Sequence, residues 1–317
     1  MALLDIFASA ILPIVALAGV GVLLGRVRAV DPAPLNTVTV YVLAPALVFY
    51  SLATTTLSGG ALARITVGVV GFHLAMLVVA EGIGRLAGER EPLLSALVLV
   101  SVFGNTGNYG VPLSSFAFGA TGRSTAVLYL TVQGVLIYTV GAYVAARSGG
   151  TSGLASVRRV LKLPLVYAVA AALALRLLGA VPAADTTLMR TVELVGNAAI
   201  PVMLLILGIQ LARVDTAGAL SMTWTPTLLK MLVAPVVALG VALATGFADP
   251  TVARTFVLES ATPTAITTLI LLGEFGEGAI EGVPTTAYVS TVVLVTTLAS
   301  IPLLTALIAI LRSGIVI

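Results

Sequence analysis

Residues 103–112 read Phe-Gly-Asn-Thr-Gly-Asn-Tyr-Gly-Val-Pro and lie in the middle of an apolar run that extends from residue 93 to residue 119. Glycine, asparagine and proline are poor helix formers, so the sequence predicts a helix that is interrupted at its centre. In hydrocarbon, an interrupted backbone is tolerated only where it is buried in protein or lines a water-filled cavity, because each unpaired peptide group is costly. The segment therefore predicts an aqueous site inside a membrane.

The composition of the rest of the chain agrees with a membrane setting. Of the 317 residues, 59% are hydrophobic and only 9% are charged, whereas charged residues make up about a quarter of a soluble domain. Ten apolar runs are long enough to cross a bilayer. They cover approximately residues 6–24, 35–57, 63–86, 93–119, 123–146, 161–179, 188–211, 225–246, 251–273 and 285–311.

Several classes of function are excluded by what the sequence lacks. There is no cysteine and one histidine, His73, so disulfides, thiolate nucleophiles and most metal sites are ruled out. The sixteen lysines and arginines are scattered between the apolar runs and form no basic stripe, so nucleic acid is not an expected partner. The first run has no basic segment before it and no cleavage motif, and we expect it to be a retained helix.

The spacing of prolines indicates an internal repeat. Pro13 and Pro164 are 151 positions apart, and so are Pro112 and Pro263. We therefore predict an all-α membrane protein of ten helices in two five-helix units, with the fourth and ninth helices broken. An odd number of crossings makes the second unit inverted relative to the first, as in many secondary transporters. The units cover about residues 1–146 and 161–317 of a single transmembrane domain, 1–317.

Proline chemistry suggests what the breaks do. A proline cannot donate to the carbonyl four residues earlier, so Pro112 would free the carbonyl of Asn108 and Pro263 would free that of Glu259. We expect an oxygen-rich cluster for a hard cation or a proton at each break. A new half-helix would begin at each proline, with Thr262 as the cap of the second, and its N–H groups could receive an anion.

Motifs in both halves resemble those of the auxin efflux carrier family. They are Asn105-Thr106 with Gly110-Val111-Pro112-Leu113, Ala261-Thr262-Pro263 with Gly273-Glu274-Phe275-Gly276, Ala199-Ile200-Pro201 with Leu207-Gly208, and Ser290-Thr291 leading to Ile301-Pro302. The resemblance implies a ten-helix fold similar to that of the bile acid sodium symporters. It also implies two broken helices that cross at the midplane, an elevator-like transport domain and transport of small organic anions, often outward.

The same resemblance implies that Asn105 lies near the substrate carboxylate and that Pro112 and Pro263 are the crossover prolines. The chain departs from plant members by lacking a long hydrophilic loop between Arg147 and Lys162, and by carrying Glu259 where those members have an amide. Both departures favour a prokaryotic-type carboxylate carrier over a carrier of auxin.

The candidate site residues follow from the two breaks and their surroundings. Those predicted to bind substrate are Asn105, Thr106, Asn108, Gly110, Pro112, Thr262, Pro263 and Thr264. Those predicted to couple an ion or a proton are Glu259, Asn108, Gln133, Thr131 and His73, with Na⁺ at Glu259 as one option. Structural roles stay open for each: Glu259 as a packing carboxyl, the asparagines as caps, and His73 as a packed polar group. Lys230 is expected to extend to the membrane interface.

The function that these features favour is a secondary transporter, or permease, for a small organic anion such as a carboxylate. Its alternatives are a channel and a sensor or structural subunit; an enzyme is not expected. No cofactor is expected beyond Na⁺ or H⁺ as a coupling ion. The expected partners are the substrate, the lipid bilayer and, in a homodimer, a second copy. Most lysines and arginines fall on one side of the predicted helices, which places both termini outside the cell membrane.

Overall fold

The computed structural model describes residues 3–147, 164–214, 219–275, 279–280 and 283–317. Within these ranges the chain is helical apart from short connections and two strands, β1 (Ala279–Ile280) and β2 (Val283–Pro284), which pair antiparallel. The prediction of an all-helical membrane protein is confirmed. Residues 161–163 of the predicted sixth run, and the linker before them, lie outside the described residues.

The helices overlap the predicted apolar runs, but they do not match them one to one. In chain order they are α1 (Leu4–Val27), α2 (Pro32–Ala53), α3 (Gly59–Leu86), α4 (Leu93–Val102), α5 (Thr106–Ala146), α6 (Pro164–Leu177), α7 (Thr187–Leu211), α8 (Trp224–Thr245), α9 (Pro250–Ser260), α10 (Thr267–Phe275) and α11 (Thr285–Ser313). In the part of the chain that the structure describes, seven of them are long and apolar enough to cross a bilayer, all but α4, α6, α9 and α10. The chain is therefore a multi-pass membrane protein.

Helix α5 consists of two helices joined at Gly119. The φ of 64° and ψ of −145° at this residue lie outside the helical region and favour glycine. Arg312 of α11 donates to the carbonyl of Ala117, and its guanidinium lies 5.9 Å from the centre of the Phe118 ring. The joint separates the predicted runs 93–119 and 123–146.

One group of helices is formed by α1, α2, α6 and α7. Helix α1 packs along α7, while α2 packs against both α6 and α7. Gly21 and Gly208 allow the close approach of α1 and α7, because a Cβ atom at Gly208 would overlap the carbonyl oxygen of Ala18. Small residues at a helix contact are typical of membrane proteins, where close van der Waals packing drives association.

A second group contains α3, α4, α5, α8 and α9. Helix α3 packs against α4, α5 and α8, and α9 packs against α5 and α8. The two groups meet at α5, which packs against α2, and whose first turn, residues Thr106–Gly110, contacts α7. That turn begins at the interruption which the sequence predicts in the run 93–119.

Candidate functional site

The first interruption separates α4 from α5. Phe103 is extended, with φ −93° and ψ 116°, and Asn105 is also non-helical. The Asn105 side chain caps α5, because its Oδ1 accepts from the N–H of Asn108 at 3.2 Å. The prediction that the half-helix begins at Pro112 is wrong. The helix begins with a π-helical turn, Thr106–Gly110, the type in which an N–H group bonds to the carbonyl five residues earlier. Pro112 follows in the α-helical part.

The second interruption separates α9 from α10. Pro263 lies inside it rather than at the start of α10, which begins at Thr267. Thr262 caps the end of α9 instead of the start of α10, since its Oγ1 donates to the carbonyl of Glu259 at 2.7 Å. The N–H of Thr262 contacts the same carbonyl at 3.2 Å. The Glu259 carbonyl is therefore not free, contrary to the prediction.

The two interruptions are hydrogen-bonded to each other. The N–H of Asn105 donates to the carbonyl of Pro263 at 2.6 Å, and the N–H of Ala265 donates to the carbonyl of Phe103 at 3.0 Å. Gly104 and Thr264 thus form an antiparallel bridge within the membrane domain. The pairing satisfies peptide groups that the loss of helix leaves open, which is the condition for an irregular backbone at membrane depth.

Side chains support this crossing from both halves. Thr264 Oγ1 donates to the carbonyl of Val100 at 2.7 Å, and the N–H of Thr264 donates to Thr296 Oγ1 at 3.1 Å. Gly104 is required by its surroundings, because a Cβ atom there would overlap Thr262 Oγ1. Three of the predicted substrate residues therefore make contacts that hold the crossing together, and they do not line the cavity beside it. They are Thr262, Pro263 and Thr264.

A cavity of about 230 Å³ lies against the crossing, between the two helix groups. The crossing contributes the first turn of α5 and the residues that lead into α10. On the opposite wall are polar and apolar side chains of α2 and α7. The lining of the cavity includes Gly104, Asn105, Thr106, Gly107, Asn108, Gln133, Ala265, Ile266, Thr267, Asn36, Thr39, Met203 and Gln210. The starts of two half-helices, one from each half of the chain, thus face one space.

Unpartnered polar atoms occur on two walls of this cavity. Asn105 Nδ2, a donor, and Gln210 Oε1, an acceptor, are buried and have no hydrogen-bond partner among the described residues. Buried polar groups normally have a hydrogen-bond partner, so two unpartnered polar atoms at one cavity indicate a place for a polar ligand. Asn105 is among the residues predicted from the sequence, whereas Gln210 is not, although an amide in the apolar run 188–211 is an unusual residue.

Gln133 connects the cavity to His73. Its Nε2 donates to the carbonyl of Gly104 at 2.7 Å and to Thr106 Oγ1 at 2.9 Å, and its Oε1 lies 3.2 Å from His73 Nε2. The other ring nitrogen of His73 lies 2.8 Å from the carbonyl of Val69. His73 is buried and does not line the cavity, so its contact with the site runs through Gln133.

Glu259 and Thr131 also lie away from the cavity lining. Glu259 is fully buried; its Oε1 accepts from Ser114 Oγ at 2.6 Å, and its Oε2 has no partner among the described residues. The carboxyl packs against Gly110, where a Cβ atom would overlap it. Thr131 donates to the carbonyl of Val127 in its own helix at 2.9 Å. Neither Gly110 nor Pro112 lines the cavity.

The prediction that Lys230 extends to the membrane interface is wrong. It is 0% exposed, and its Nζ lies 3.3 Å from the carbonyls of both Val102 and Ser260. A π-helical turn at Leu229–Val233 carries it inward within α8. Its position behind the crossing could not be read from hydropathy, because a run of apolar residues does not show which way a helix face turns.

Comparisons with known proteins agree on the type of molecule. A family model described as "Membrane transport protein" matches residues 6–156 and 152–308. A relative from Rhizobium meliloti (strain 1021), named "Putative malonate transporter", is 27% identical over 289 residues, which cover 88% of this chain and 87% of the relative. Both matches point to membrane transport rather than to catalysis.

Proposed function

The chain belongs to the membrane transport protein family, in agreement with its motifs that resemble the auxin efflux carriers, and from this premise we propose that it is a secondary transporter of small carboxylates. The observation that carries the proposal is the crossing of the two interruptions. It brings the first turn of α5 and the first turn of α10 to one cavity. Helix N-termini favour anions, because their N–H groups are unpaired and the helix dipole is positive there.

The donors available to a carboxylate can be named. Asn105 Oδ1 takes the N–H of Asn108, and helix geometry leaves the N–H groups of Thr106 and Gly107 without a carbonyl in their own helix. Ile266 and Thr267 hold the equivalent places at the start of α10. Asn105 Nδ2 adds a side-chain donor. These groups can bind one carboxylate by charge-assisted hydrogen bonds.

The cavity also suggests the size of the substrate. A volume of about 230 Å³ suits a carboxylate of a few carbon atoms. Gln210 Oε1, on the far wall, is an acceptor that a hydroxyl group or a protonated second carboxyl could donate to. The name of the Rhizobium meliloti relative points in the same direction, so malonate is the first substrate to test.

The finer arrangement belongs to the same proposal. We take the described helices as ten crossings in two inverted units of five. Helix α4 and the part of α5 before Gly119 form the broken fourth crossing, the rest of α5 forms the fifth, and α9 and α10 form the broken ninth. The group of α1, α2, α6 and α7 would be the static scaffold, and the group that carries the crossing would move by an elevator-type step. The protein would sit in the cell membrane with both termini outside, as a monomer or a homodimer.

Coupling to Na⁺ or H⁺ is part of the proposal as well. Gln133 and Asn108 are the coupling candidates that line the cavity. His73 reaches it through Gln133, whereas Glu259 and Thr131 lie outside its lining.

Binding of malonate to the purified protein tests the proposal. Malonate should raise the apparent melting temperature, because a ligand that binds only the folded state stabilises it. In Asn105→Ala the malonate effect should be lost while the unliganded protein still folds. Asn197→Ala is the matched control, because Asn197 accepts from Arg123 and does not line the cavity. Stabilisation by amines or sugars but by no carboxylate would refute the assignment.

Transport itself is tested in proteoliposomes. Labelled malonate should exchange against internal malonate with saturation, and Asn105→Ala should not exchange it. A current that does not saturate with concentration would indicate a channel instead.

A further inference from the structure

Lys230 is a buried basic residue that the proposed binding site does not use. The residue is fully buried in α8, and its Nζ contacts the carbonyl oxygens of Val102 and Ser260, each at 3.3 Å. Among the described residues, no carboxylate lies within ion-pair distance of this ammonium group. A buried ammonium without a carboxylate needs another source of negative potential.

The two carbonyls supply that potential because of where they are. Val102 is the last residue of α4, and Ser260 is the last residue of α9. The last carbonyls of a helix have no partner within the helix, and the dipole gives that end about half a negative charge. Two such ends converge on Lys230, and both favour a positive charge at its Nζ.

The ammonium stands directly behind the wall of the cavity. A Cβ atom at Gly104 would lie 3.2 Å from Lys230 Nζ, and Gly104 itself lines the cavity. The crossing therefore has two electrostatic sides. Two helix N-termini face the cavity, and two helix C-termini face Lys230. Glu259 does not neutralise the ammonium, because its carboxyl packs against Ser114 and Gly110 instead.

We propose that Lys230 is a tethered cation which fills the position where converging helix C-termini would otherwise need a bound metal ion, so that carboxylate binding does not require Na⁺. The proposal rests on the proposed function, since it concerns the binding of a carboxylate beside the crossing. It makes Lys230 a positioning residue, which holds α4 and α9 together and keeps the cavity wall in shape. It chooses against Na⁺ at this point of the fold.

The native protein provides the first test. Malonate affinity is measured by calorimetry in sodium chloride and in choline chloride of equal ionic strength. The expected result is a Kd that differs by less than about twofold between the two salts, which corresponds to about 0.4 kcal/mol. A Kd that rises about tenfold or more without Na⁺ overturns the proposal, even if no variant can be purified. Absence of malonate binding in both salts would instead contradict the proposed function.

Variants of Lys230 provide the second test. Lys230→Met keeps most of the length and removes the charge, and we expect its malonate Kd to rise about tenfold in either salt, equivalent to about 1.4 kcal/mol. Lys230→Ala opens space, so the same loss should appear in choline chloride and be reversed by methylammonium chloride or sodium chloride. Lys230→Arg, which keeps the charge, is the matched control for both. Native-like binding by Lys230→Met in choline chloride would overturn the proposal.

Discussion

Gly110→Ala should destabilise the protein through one contact between the two halves of the chain. An added Cβ atom would lie 2.8 Å from Cδ and 3.0 Å from Oε1 of Glu259, and closer still to Oε2. The carboxyl cannot turn away freely, because it is fully buried and Oε1 accepts from Ser114 Oγ at 2.6 Å. The substitution therefore forces α5 and α9 apart.

The magnitude follows from two opposing effects. Overpacking of a buried site costs about 1–3 kcal/mol, while replacing glycine by alanine in a helix contributes about 1 kcal/mol in the other direction. Gly107→Ala, in the same turn, is the matched control. The nearest atom to its added Cβ is Leu130 Cδ1 at 3.5 Å, an ordinary contact. Gly110→Ala should be less stable than Gly107→Ala by about 2 kcal/mol.

Thermal unfolding of the purified protein, followed by circular dichroism, measures this difference. A loss of about 2 kcal/mol should lower the apparent Tm by several degrees. A double-mutant cycle identifies the cause, because Glu259→Ala removes the carboxyl that the new methyl group meets. In that background Gly110→Ala should be neutral or stabilising, which gives a coupling of about 2 kcal/mol. Equal melting of Gly110→Ala and Gly107→Ala, with no coupling to Glu259, would refute the contact.

Three further predictions concern the scaffold, the cavity and the surface. Gly208→Ala should destabilise the α1–α7 contact by about 3 kcal/mol, because its added Cβ atom would overlap the carbonyl oxygen of Ala18. Its control is Gly19→Ala, whose added Cβ atom would meet no atom within 4 Å, and which should have the same apparent Tm as the native protein. Gln133→Leu should weaken malonate binding, measured by calorimetry, about tenfold, because it removes the hydrogen-bond donors to Gly104 and Thr106. Thr131→Val should change the Kd little, because the Thr131 hydroxyl donates to a carbonyl of its own helix. Equal effects of the two substitutions would contradict these assignments. Glu81 and Glu91 raise the pKa of Arg147 by hydrogen bonds and charge, so its positive charge and the stability that it contributes are fully present below its ordinary pKa. Arg147→Gln should therefore cost about 1 kcal/mol or less, with a constant difference in apparent Tm from about pH 6 to about pH 9, and a difference that vanished within that range would contradict this reading.

The helices could be predicted from the sequence because membrane length and apolar content are local properties. The run 93–119 and the run 251–273 contain the interruptions where glycine, asparagine and proline predict them. The direction of capping could not be predicted. A threonine hydroxyl can accept from the helix that follows it or donate to the helix before it, and Thr262 does the latter. That choice depends on the peptide pairing with Phe103 and Asn105, which is tertiary.

The candidate site was predictable on one wall and not on the other. Asn105, Thr106 and Asn108 stand out because they interrupt a hydrophobic run, and Gln133 because it is an amide inside one. Gln210 is also an amide in an apolar run, but it and the polar residues of α2 face this space because α7 packs against α2 and the first turn of α5, which the sequence does not show. Lys230 is a similar case, since its depth depends on the rotation of α8 about its axis.

The peptide bridge between Gly104 and Thr264 has a consequence for how such carriers diversify. The joint is made of main-chain groups, the N–H groups of Asn105 and Ala265 and the carbonyls of Phe103 and Pro263. Every amino acid except proline supplies both kinds of group, so most replacements at the two donor positions leave the hydrogen bonds possible. Gln210 and Asn36, across the cavity, contribute nothing to that joint and are free to change. Descendants of one ancestral chain can thus change the lining of the cavity by altering a single wall, while the joint is inherited unchanged.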